Sequence, residues 1–425
     1  MHHFHYRGGE LCCEEVPLRE VARQVGTPCY VYSAATLTRH FLVFDGGFQA
    51  LPHQTCFAVK SCSNLAILNL FARLGGGADI VSGGELFRAL RSGIPAERII
   101  YSGVGKSVRE LEEALRAGIL MINIESPQEL DRVRQVAASV GVRAPVAFRV
   151  NPDVDPKTHA YISTGLAKNK FGVPVDEALA EYVRAAAMPE IEVVGLSCHI
   201  GSQLTQVEPF IEALRKLKDF LARLAAAGVR VRCLDLGGGL GITYDAETPP
   251  HPHDYAAAIT RELAGLDLTL ILEPGRVLVG NAGILLTEVQ FIKQNLGAGE
   301  RKNFVVVDAA MNDLARPSLY GAYHEIRRVR EPAGEDELQV DVVGPICESG
   351  DFLAKDRMLP PLAAGDLLAV MSSGAYGFSM ASNYNSRPRA AEVLVSGSSI
   401  QVIRARESYE DLVRGETAAA GGDLA

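Results

Sequence analysis

The chain has 425 residues, of which 48% are apolar, and a formal net charge of −9, and a chain of this length usually folds as two domains. The acidic balance argues against nucleic acid as a main partner, because neutralising phosphates requires a basic surface. No apolar run approaches the roughly 20 residues of a membrane span, and the opening MHHFHYRGGE lacks the apolar centre of a secretory signal. We therefore expect a cytoplasmic protein without a membrane partner.

The N-terminal segment, residues 1–35, ends in the run CYVYS at positions 29–33. Valine and tyrosine favour strands, so this run reads as a strand. We expect the segment to join the domain at the other end of the chain.

Eight short apolar runs alternate with amphipathic helical stretches in the first two thirds of the chain. The runs are CFAVK (56–60), ADIVS (78–82), RIIYSG (98–103), ILMINIE (119–125), PVAFRVN (145–151), VVGLSCHIG (193–201), VRCLDLGGG (231–239) and LTLILEPGR (268–276). Continuous apolar runs are typical of strands buried on both faces of a parallel sheet. Eight βα units predict a closed, TIM-like (β/α)8 barrel over residues 36–280, with a doubly wound open sheet as the alternative.

After residue 276 the runs alternate apolar and polar residues, with turn residues between them. These runs are GILLTEVQFIKQ, NFVVVDAAM, ELQVDVVGPI, DLLAVMSSGAY and AAEVLVSGSSIQVIRA. Alternation predicts antiparallel strands, so we assign residues 281–425 to a C-terminal antiparallel β domain with a short terminal helix, SYEDLVRG. Within the barrel half, the long connection at residues 151–172 predicts a binding loop or lid.

Polar residues gather where the predicted barrel strands end, which is where such barrels carry their function. They are Lys60, Asp79, Ser82, Asn123, Glu125, Arg149, Asn151, His199, Gly237 to Gly239, Glu273 and Arg276. Burial and cationic neighbours would lower the pKa of a rim lysine and make its amine nucleophilic toward carbonyl groups. A salt-bridged structural lysine is the alternative for Lys60.

The loops after the seventh and eighth strands, DLGGGLG and EPGR, predict a phosphate site. Glycine has no Cβ, so the N–H groups of Gly237 to Gly239 can approach phosphate oxygens, and Arg276 adds a charged fork. A reactive lysine with a phosphate site indicates pyridoxal 5'-phosphate. Glu273 is then the candidate partner of the pyridine nitrogen, and His199 either lies against the ring or is a structural histidine.

Nine motifs carry a resemblance to a known family, and in chain order they are AVK, SGGEL, STGL…NKFG, CHIGSQ, DLGGGLG, EPGR, RPSLYGAYH, CESGD and GAYGF. They resemble the fold-type III, alanine-racemase-like decarboxylases that use pyridoxal phosphate, and among these the diaminopimelate decarboxylase family. The resemblance implies a carboxy-lyase that converts meso-2,6-diaminoheptanedioate to L-lysine and CO₂, the final step of lysine biosynthesis. It also implies a homodimer with shared active sites.

The resemblance implies roles for individual residues. Lys60 would hold the cofactor covalently, His199 would stack on its ring, and Cys347 in CESGD would give the substrate a proton across the dimer interface. We assign cofactor contacts to Lys60, Asp79, His199, Ser202, Gly237, Gly238, Gly239, Glu273, Gly275, Arg276 and Tyr376. We assign substrate contacts to Arg276, Arg316, Tyr320, Glu348 and Tyr376.

Three alternatives remain at this level. Ornithine- or arginine-type decarboxylases resemble the barrel, but usually place an aspartate after the cysteine where this chain has Glu348. An amino-acid racemase would need a second acid–base group on the opposite face of the substrate, and a cofactor-carrier barrel would lack the β domain. The eight cysteines form no Cys-X-X-Cys pair and no zinc spacing with histidine, so we predict reduced thiols and no metal site.

Overall fold

The computed structural model describes residues 2–154, 170–296, 301–334 and 336–417. The chain divides into two compact units, which we call the barrel unit (Ala34–Ala282 with Gly374–Ser379) and the β unit (His3–Ser33, Gly283–Ser373 and Met380–Ala425). Most of the predicted lid, residues 155–169, lies outside the described residues. Among the described helices, none combines the length and apolar character that crossing a membrane requires.

The helices and strands of the described residues have the following bounds. The helices are α1 (Leu18–Val25), α2 (Ala34–Gly46), α3 (Leu65–Arg73), α4 (Gly83–Arg91), α5 (Val108–Ala117), α6 (Pro127–Val140), α7 (Val175–Ala186), α8 (Glu208–Ala226), α9 (Pro252–Leu263), α10 (Arg276–Val279), α11 (Arg316–Tyr320) and α12 (Tyr409–Leu412). The strands are β1 (Phe4–Arg7), β2 (Glu10–Cys13), β3 (Val16–Pro17), β4 (Cys29–Ser33), β5 (His53–Ala58), β6 (Gly77–Ile80), β7 (Ile99–Tyr101), β8 (Met121–Ile124), β9 (Ala144–Asn151), β10 (Val173–Pro174), β11 (Ile191–Ser197), β12 (Cys233–Asp235), β13 (Thr269–Leu272), β14 (Gly283–Leu296), β15 (Arg301–Val307), β16 (Ile326–Arg328), β17 (Leu338–Val343), β18 (Phe352–Leu359), β19 (Leu367–Val370), β20 (Ala391–Ser396) and β21 (Ser399–Arg404).

Eight parallel strands close the barrel unit. They pair in the order β5, β6, β7, β8, β9, β11, β12 and β13, and β13 returns to β5. Each predicted apolar run overlaps one of these strands, so the predicted (β/α)8 barrel is confirmed. The interior is filled by one buried side chain from each of seven strands: Cys56, Ile100, Met121, Ala147, Val194, Cys233 and Ile271.

Polar caps begin the four helices that follow the first four barrel strands. The side chains of Asn64, Ser82, Ser107 and Ser126 accept a backbone N–H from the first turn of α3, α4, α5 and α6 respectively. Each cap of this kind stabilises a helix by about 1 kcal/mol. In α5 the cap is reciprocal, because Glu110 also accepts from the Ser107 N–H. These caps fix where each strand gives way to its helix, and therefore which residues stand at the barrel rim.

The β unit contains a large sheet that is mostly antiparallel, as predicted. Its main path runs β18, β17, β15, β14, β4, β20, β21, with β19 pairing with β14 and β16. Two neighbouring pairs, β15 with β17 and β4 with β20, are parallel. Strand β4 is the CYVYS run, and it lies between β14 and β20, where all five of its residues are buried. The N-terminal segment therefore completes the sheet of this unit.

Gly374–Ser379 belong to the barrel unit although they follow strand β19 in the chain. The N–H of Tyr376 donates to the carbonyl oxygen of Ser61 at 2.8 Å, and that of Gly374 donates to Gly280 at 3.0 Å. Tyr376 has a φ of 56°, a left-handed conformation that is uncommon outside glycine. The GAYGF motif thus returns to the barrel and brings Tyr376 with it.

Candidate active site

Lys60 lies in a short 3-10 turn, Val59–Ser61, directly after strand β5. Its Nζ atom is 2.6 Å from Oδ2 of Asp79, the third residue of the neighbouring strand β6. The Asp79 side chain is fully buried, whereas the Lys60 side chain is 36% exposed. The second carboxylate oxygen, Oδ1 of Asp79, is buried and has no hydrogen-bond partner among the described residues. The Lys60 side chain is partly accessible, and a buried carboxylate fixes the position of its amine.

The pKa of Lys60 is raised, which corrects the expectation that its surroundings would lower it. Burial does act to lower the pKa, but the negative charge of Asp79 and its hydrogen bond to the amine raise it. The fold places carboxyl groups, rather than cations, beside this amine. Lys60 is consequently held as an ammonium group, and becoming a nucleophile requires it to give up a proton.

Glu273 follows strand β13 and enters a buried polar network. Oγ of Ser102 donates to Oε1 of Glu273 at 3.1 Å and accepts Nδ2 of Asn123, which also donates to Oδ2 of Asp235. Burial raises the pKa of Glu273 well above its usual range, and the nearby Asp235 and Asp79 raise it further. Burial and these neighbouring carboxyl groups therefore favour the protonated form of Glu273.

The glycine loop holds side chains of the barrel itself. The N–H of Gly237 donates to Oδ1 of Asp235 at 2.9 Å, and the N–H of Gly238 donates to Nδ1 of His199 at 3.2 Å. The sequence suggested that all three amides of this loop face a phosphate, but these two already donate within the chain. A Cβ at Gly237 would lie 2.6 Å from Nδ1 of His199, and one at Gly238 would overlap the backbone oxygen of Glu273.

His199 is neutral in this setting. Burial lowers its pKa well below the usual range, and the positive charges of Arg149 and Lys60 lower it further. Because Nδ1 accepts a hydrogen bond from a backbone N–H, the single ring proton belongs on Nε2. A neutral imidazole of fixed tautomer suits stacking against an aromatic ring.

Arg276 begins helix α10 after Gly275 and is buried among aromatic and hydroxyl groups. Nη1 donates to the Tyr244 hydroxyl at 2.8 Å and Nη2 donates to Oγ of Ser202 at 3.2 Å. The guanidinium carbon lies 4.8 Å from the centroid of the Tyr376 ring. The fold thus brings Ser202 and Tyr376 into contact with the guanidinium of Arg276, and all three are predicted site residues.

Arg316, Tyr320, Cys347 and Glu348 lie in the β unit. Arg316 is buried at the start of helix α11, and its Nη1 donates to Nε2 of His324 at 2.9 Å. The other ring nitrogen of His324 contacts the Met371 carbonyl oxygen at 2.8 Å, so His324 is a neutral acceptor that orients Arg316.

The CESGD turn, residues 347–351, presents its thiol to solvent. All eight cysteines lie within the described residues, and Cys347 alone among them is exposed. Its N–H donates to Oδ1 of Asn385 at 2.8 Å. The carboxylate of Asp351 accepts the N–H groups of Ile346 and Met311 at 2.7 and 2.8 Å. A buried aspartate therefore organises the turn while Cys347 and Glu348 project outward, which excludes the simple interpretation of Cys347 as a buried core residue.

Comparison with known proteins identifies the family to which the chain belongs. A family model described as "Pyridoxal-dependent decarboxylase, pyridoxal binding domain" matches residues 34–280. Diaminopimelate decarboxylase of Pseudomonas aeruginosa is 53% identical over 414 residues, which are 97% of this chain and 98% of that protein. The chain belongs to the diaminopimelate decarboxylase family.

Solved structures of the diaminopimelate decarboxylase family share the fold of this chain. The Helicobacter pylori enzyme, complexed with L-lysine, is 46% identical with a TM-score of 0.89, covering 93% of this chain and 98% of that one. The M. jannaschii enzyme is 39% identical with a TM-score of 0.92, covering 98% of both chains. As a member of this family, the chain is a pyridoxal-phosphate-dependent decarboxylase.

The barrel unit fits the cofactor of the diaminopimelate decarboxylase family. An accessible amine stands beside the buried, incompletely satisfied carboxylate of Asp79. The neutral ring of His199 is held by the glycine loop, and the raised pKa of Glu273 favours a protonated carboxyl that can hydrogen-bond a pyridine nitrogen. Lys60, His199 and Glu273 are thus suited to the aldehyde, the ring face and the ring nitrogen of pyridoxal phosphate.

The sequence did not single out several residues that build this site. Asp235, Ser102, Tyr244 and His324 each contact a predicted site residue. Asp235 lies two residues before Gly237 and Ser102 lies one residue before the end of the third run, so their position at strand ends was a usable signal. His324 closes the motif RPSLYGAYH that begins with Arg316, whereas Tyr244 carried no such signal, because Arg276 comes close to it only in the folded chain.

Proposed function

We propose that the chain decarboxylates meso-2,6-diaminoheptanedioate to L-lysine and CO₂, using pyridoxal 5'-phosphate on Lys60. The observation that carries this proposal is the accessible Lys60 amine held 2.6 Å from the buried carboxylate of Asp79 at the rim of the barrel. The named relatives, at about half identity over nearly the whole chain, support the choice of substrate, and so does the family member complexed with L-lysine.

When bound, pyridoxal phosphate supplies an aldehyde that captures the substrate amine and a ring that accepts the negative charge left at Cα by departing CO₂. The chain supplies position and proton control around it. His199 would lie against the ring as a neutral side chain, and Glu273 would serve the ring nitrogen. Ser202, Gly239, Gly275 and Arg276 would hold the phosphate, with Tyr376 packed on Arg276, whereas the N–H groups of Gly237 and Gly238 stay bonded to Asp235 and His199.

The β unit supplies the groups for the substrate. Arg316 and Tyr320 bind the distal carboxylate, for which a guanidinium fork is well suited, and Glu348 recognises the distal amine. The Cys347 thiol donates a proton to Cα in the place that CO₂ leaves, and the resulting thiolate regains its proton from water. The exposure of Cys347 in an organised turn supports this assignment.

The active form in this proposal is a homodimer in which the CESGD turn of one protomer serves the barrel of its partner. An exposed thiol and carboxylate fixed by Asn385 and Asp351 suit delivery to a neighbouring chain. All eight cysteines lie within the described residues and form no disulfide, which supports a reducing compartment, the cytoplasm.

A turnover assay with four substrates tests the proposal. We expect CO₂ release from diaminopimelate to exceed release from ornithine, arginine and lysine by several orders of magnitude. The distal carboxylate is the group that Arg316 requires, and the other three lack it. Faster release from ornithine or arginine would replace the proposal with the corresponding decarboxylase. Stereochemical scrambling of diaminopimelate without CO₂ release would indicate a racemase.

A further inference from the structure

Five strand ends of the barrel contribute to one continuous hydrogen-bonded network. Nδ2 of Asn123 donates to Oγ of Ser102 at 3.0 Å and to Oδ2 of Asp235 at 2.9 Å. Oγ of Ser102 in turn donates to Oε1 of Glu273 at 3.1 Å, and Oγ of Ser197 donates to Oδ2 of Asp235 at 2.9 Å. All five residues are buried. Asn123 uses both hydrogens of its amide, so it ties the orientation of Glu273 to that of Asp235.

The two carboxyl groups of this network accept different numbers of hydrogen bonds from the described residues. Asp235 accepts three hydrogen bonds, from Gly237, Asn123 and Ser197, whereas the described donor to Glu273 is Ser102. Hydrogen bonds to a carboxylate favour its charged form. Two adjacent buried carboxyls cannot both ionise cheaply and titrate as a pair. The pair therefore holds one proton, and the bonding pattern places that proton on Glu273.

We propose that Asp235 is a positioning residue that keeps a shared proton on Glu273, where the ring nitrogen of the cofactor can take it. This inference rests on the proposed function through the role of Glu273. With Asp235 in place, the cofactor finds its ring proton already stored in the barrel. Binding then draws no proton from solvent for the ring nitrogen.

The charges around the pair act in the same direction. Burial raises the pKa of both carboxyls, and for Glu273 the negative charges of Asp235 and Asp79 add to this effect while Lys60 opposes it. The nearby thiols of Cys56 and Cys198 have raised pKa values and stay neutral, and His199 is neutral. The positive charge of Lys60 acts to favour ionisation of Glu273, but the Lys60 ammonium is already paired with Asp79.

Proton counting during cofactor binding tests this proposal without using the reaction. Isothermal titration of cofactor-free protein with pyridoxal phosphate, in buffers of different ionisation enthalpy, gives the number of protons taken up per cofactor. We expect Asp235→Asn to take up about one proton more than the wild type near pH 8, because removing the Asp235 charge lets Glu273 ionise. Its cofactor affinity should then fall up to about tenfold more steeply per pH unit than that of the wild type. Equal proton counts for the two proteins would overturn the proposal.

Two further measurements keep the proposal testable if Asp235→Asn does not fold. Ser197→Ala removes one donor from Asp235, weakens its preference for the charged form and should shift the proton count in the direction opposite to Asp235→Asn or leave it at the wild-type value. In the wild type, an infrared difference spectrum should lose a protonated-carboxyl band when the cofactor binds, and Glu273→Gln should lack that band. Persistence of the band in the wild type, or its presence in Glu273→Gln, would refute the stored proton.

These results separate the inference from the proposed function. A wild type that binds pyridoxal phosphate but gives equal proton counts with Asp235→Asn refutes the inference and leaves decarboxylation standing. A protein that passes the proton test but releases no CO₂ from diaminopimelate refutes the proposed substrate alone. A wild type that binds no pyridoxal phosphate refutes both.

Discussion

Nζ of Lys60 and Oδ2 of Asp79 lie 2.6 Å apart across neighbouring barrel strands. The barrel unit also contains a buried lysine, Lys106, whose Nζ donates to Gly103, Asn123 and Glu129, each at 2.7 Å. Three donors satisfied by three acceptors make Lys106 structural. The Lys60 ammonium keeps access to solvent, which is the difference that matters for covalent chemistry.

Reduction with borohydride should attach the cofactor to Lys60. Peptide mapping of the reduced holoenzyme should find the adduct on Lys60 and leave Lys106 unmodified. Lys60→Ala should lose the visible absorption of the bound cofactor and reduce turnover by at least about a thousandfold, because the amine that carries the cofactor is gone. An adduct on a different lysine, or full colour in the variant, would contradict the assignment.

A methyl group added to the glycine loop should disrupt the site. In Gly238→Ala the new Cβ overlaps the backbone oxygen of Glu273, so the loop must move away from Glu273 and release His199. We expect at least a tenfold loss of pyridoxal phosphate affinity, measured by absorption titration. Gly84→Ala is the matched control: its Cβ meets nothing closer than 3.8 Å in helix α4, and it should stabilise the chain by up to about 1 kcal/mol. Equal cofactor affinity in the two variants would argue against the close packing seen here.

Mixing two inactive variants should restore activity if sites are shared between protomers. Cys347→Ala should slow product formation by roughly a hundredfold or more while cofactor stays bound, because the proton donor is absent. In a hybrid dimer with Lys60→Ala, one of the two sites has both Lys60 and Cys347 intact. Turnover should therefore recover toward one quarter of the wild-type value in an equal, fully exchanged mixture. Failure to recover in hybrids verified by mass spectrometry would exclude the shared site.

We expect the stability of the folded chain to depend on pH through the buried carboxyl of Asp313. Burial raises the pKa of its carboxyl to about 7, although the Ala310 N–H and the charges of Arg387 and Arg406 act against the shift. A raised pKa means that the folded chain binds the proton more tightly than the unfolded chain. The stabilisation that the folded chain gains from the protonated Asp313 carboxyl is therefore complete below about pH 4 and is lost as pH rises through about 7.

Replacement with the uncharged isostere should remove this dependence. Denaturant titrations at pH 5 and pH 8.5 should show that Asp313→Asn loses less free energy of unfolding with rising pH than the wild type, by on the order of 1–4 kcal/mol. The asparagine can still accept the Ala310 N–H, which reaches the native carboxylate at 3.0 Å. An identical pH dependence in the two proteins would show that Asp313 is already ionised at pH 5.

The amino-acid sequence by itself determined the strands and the rim of the barrel. Each strand is a short apolar run, and the caps at Ser82, Ser107 and Ser126 are local signals that end the strands at predictable residues. Lys60, Glu273 and Arg276 could be named because strand ends in such a barrel meet at one face. These features depend on neighbours within a few residues, and local pattern is enough to predict them.

The tertiary structure alone decided the charge state of the site and the return of Tyr376 to the barrel. Lys60 meets Asp79 from the neighbouring strand β6, and Glu273 meets Asp235 from the neighbouring strand β12, so the pKa of Lys60 is raised where the sequence suggested the opposite. The N–H of Tyr376 donates to Ser61, a residue more than 300 positions earlier in the chain. Electrostatic interactions depend on which groups are brought together and buried, and residues far apart in sequence acquire those neighbours only when the chain folds.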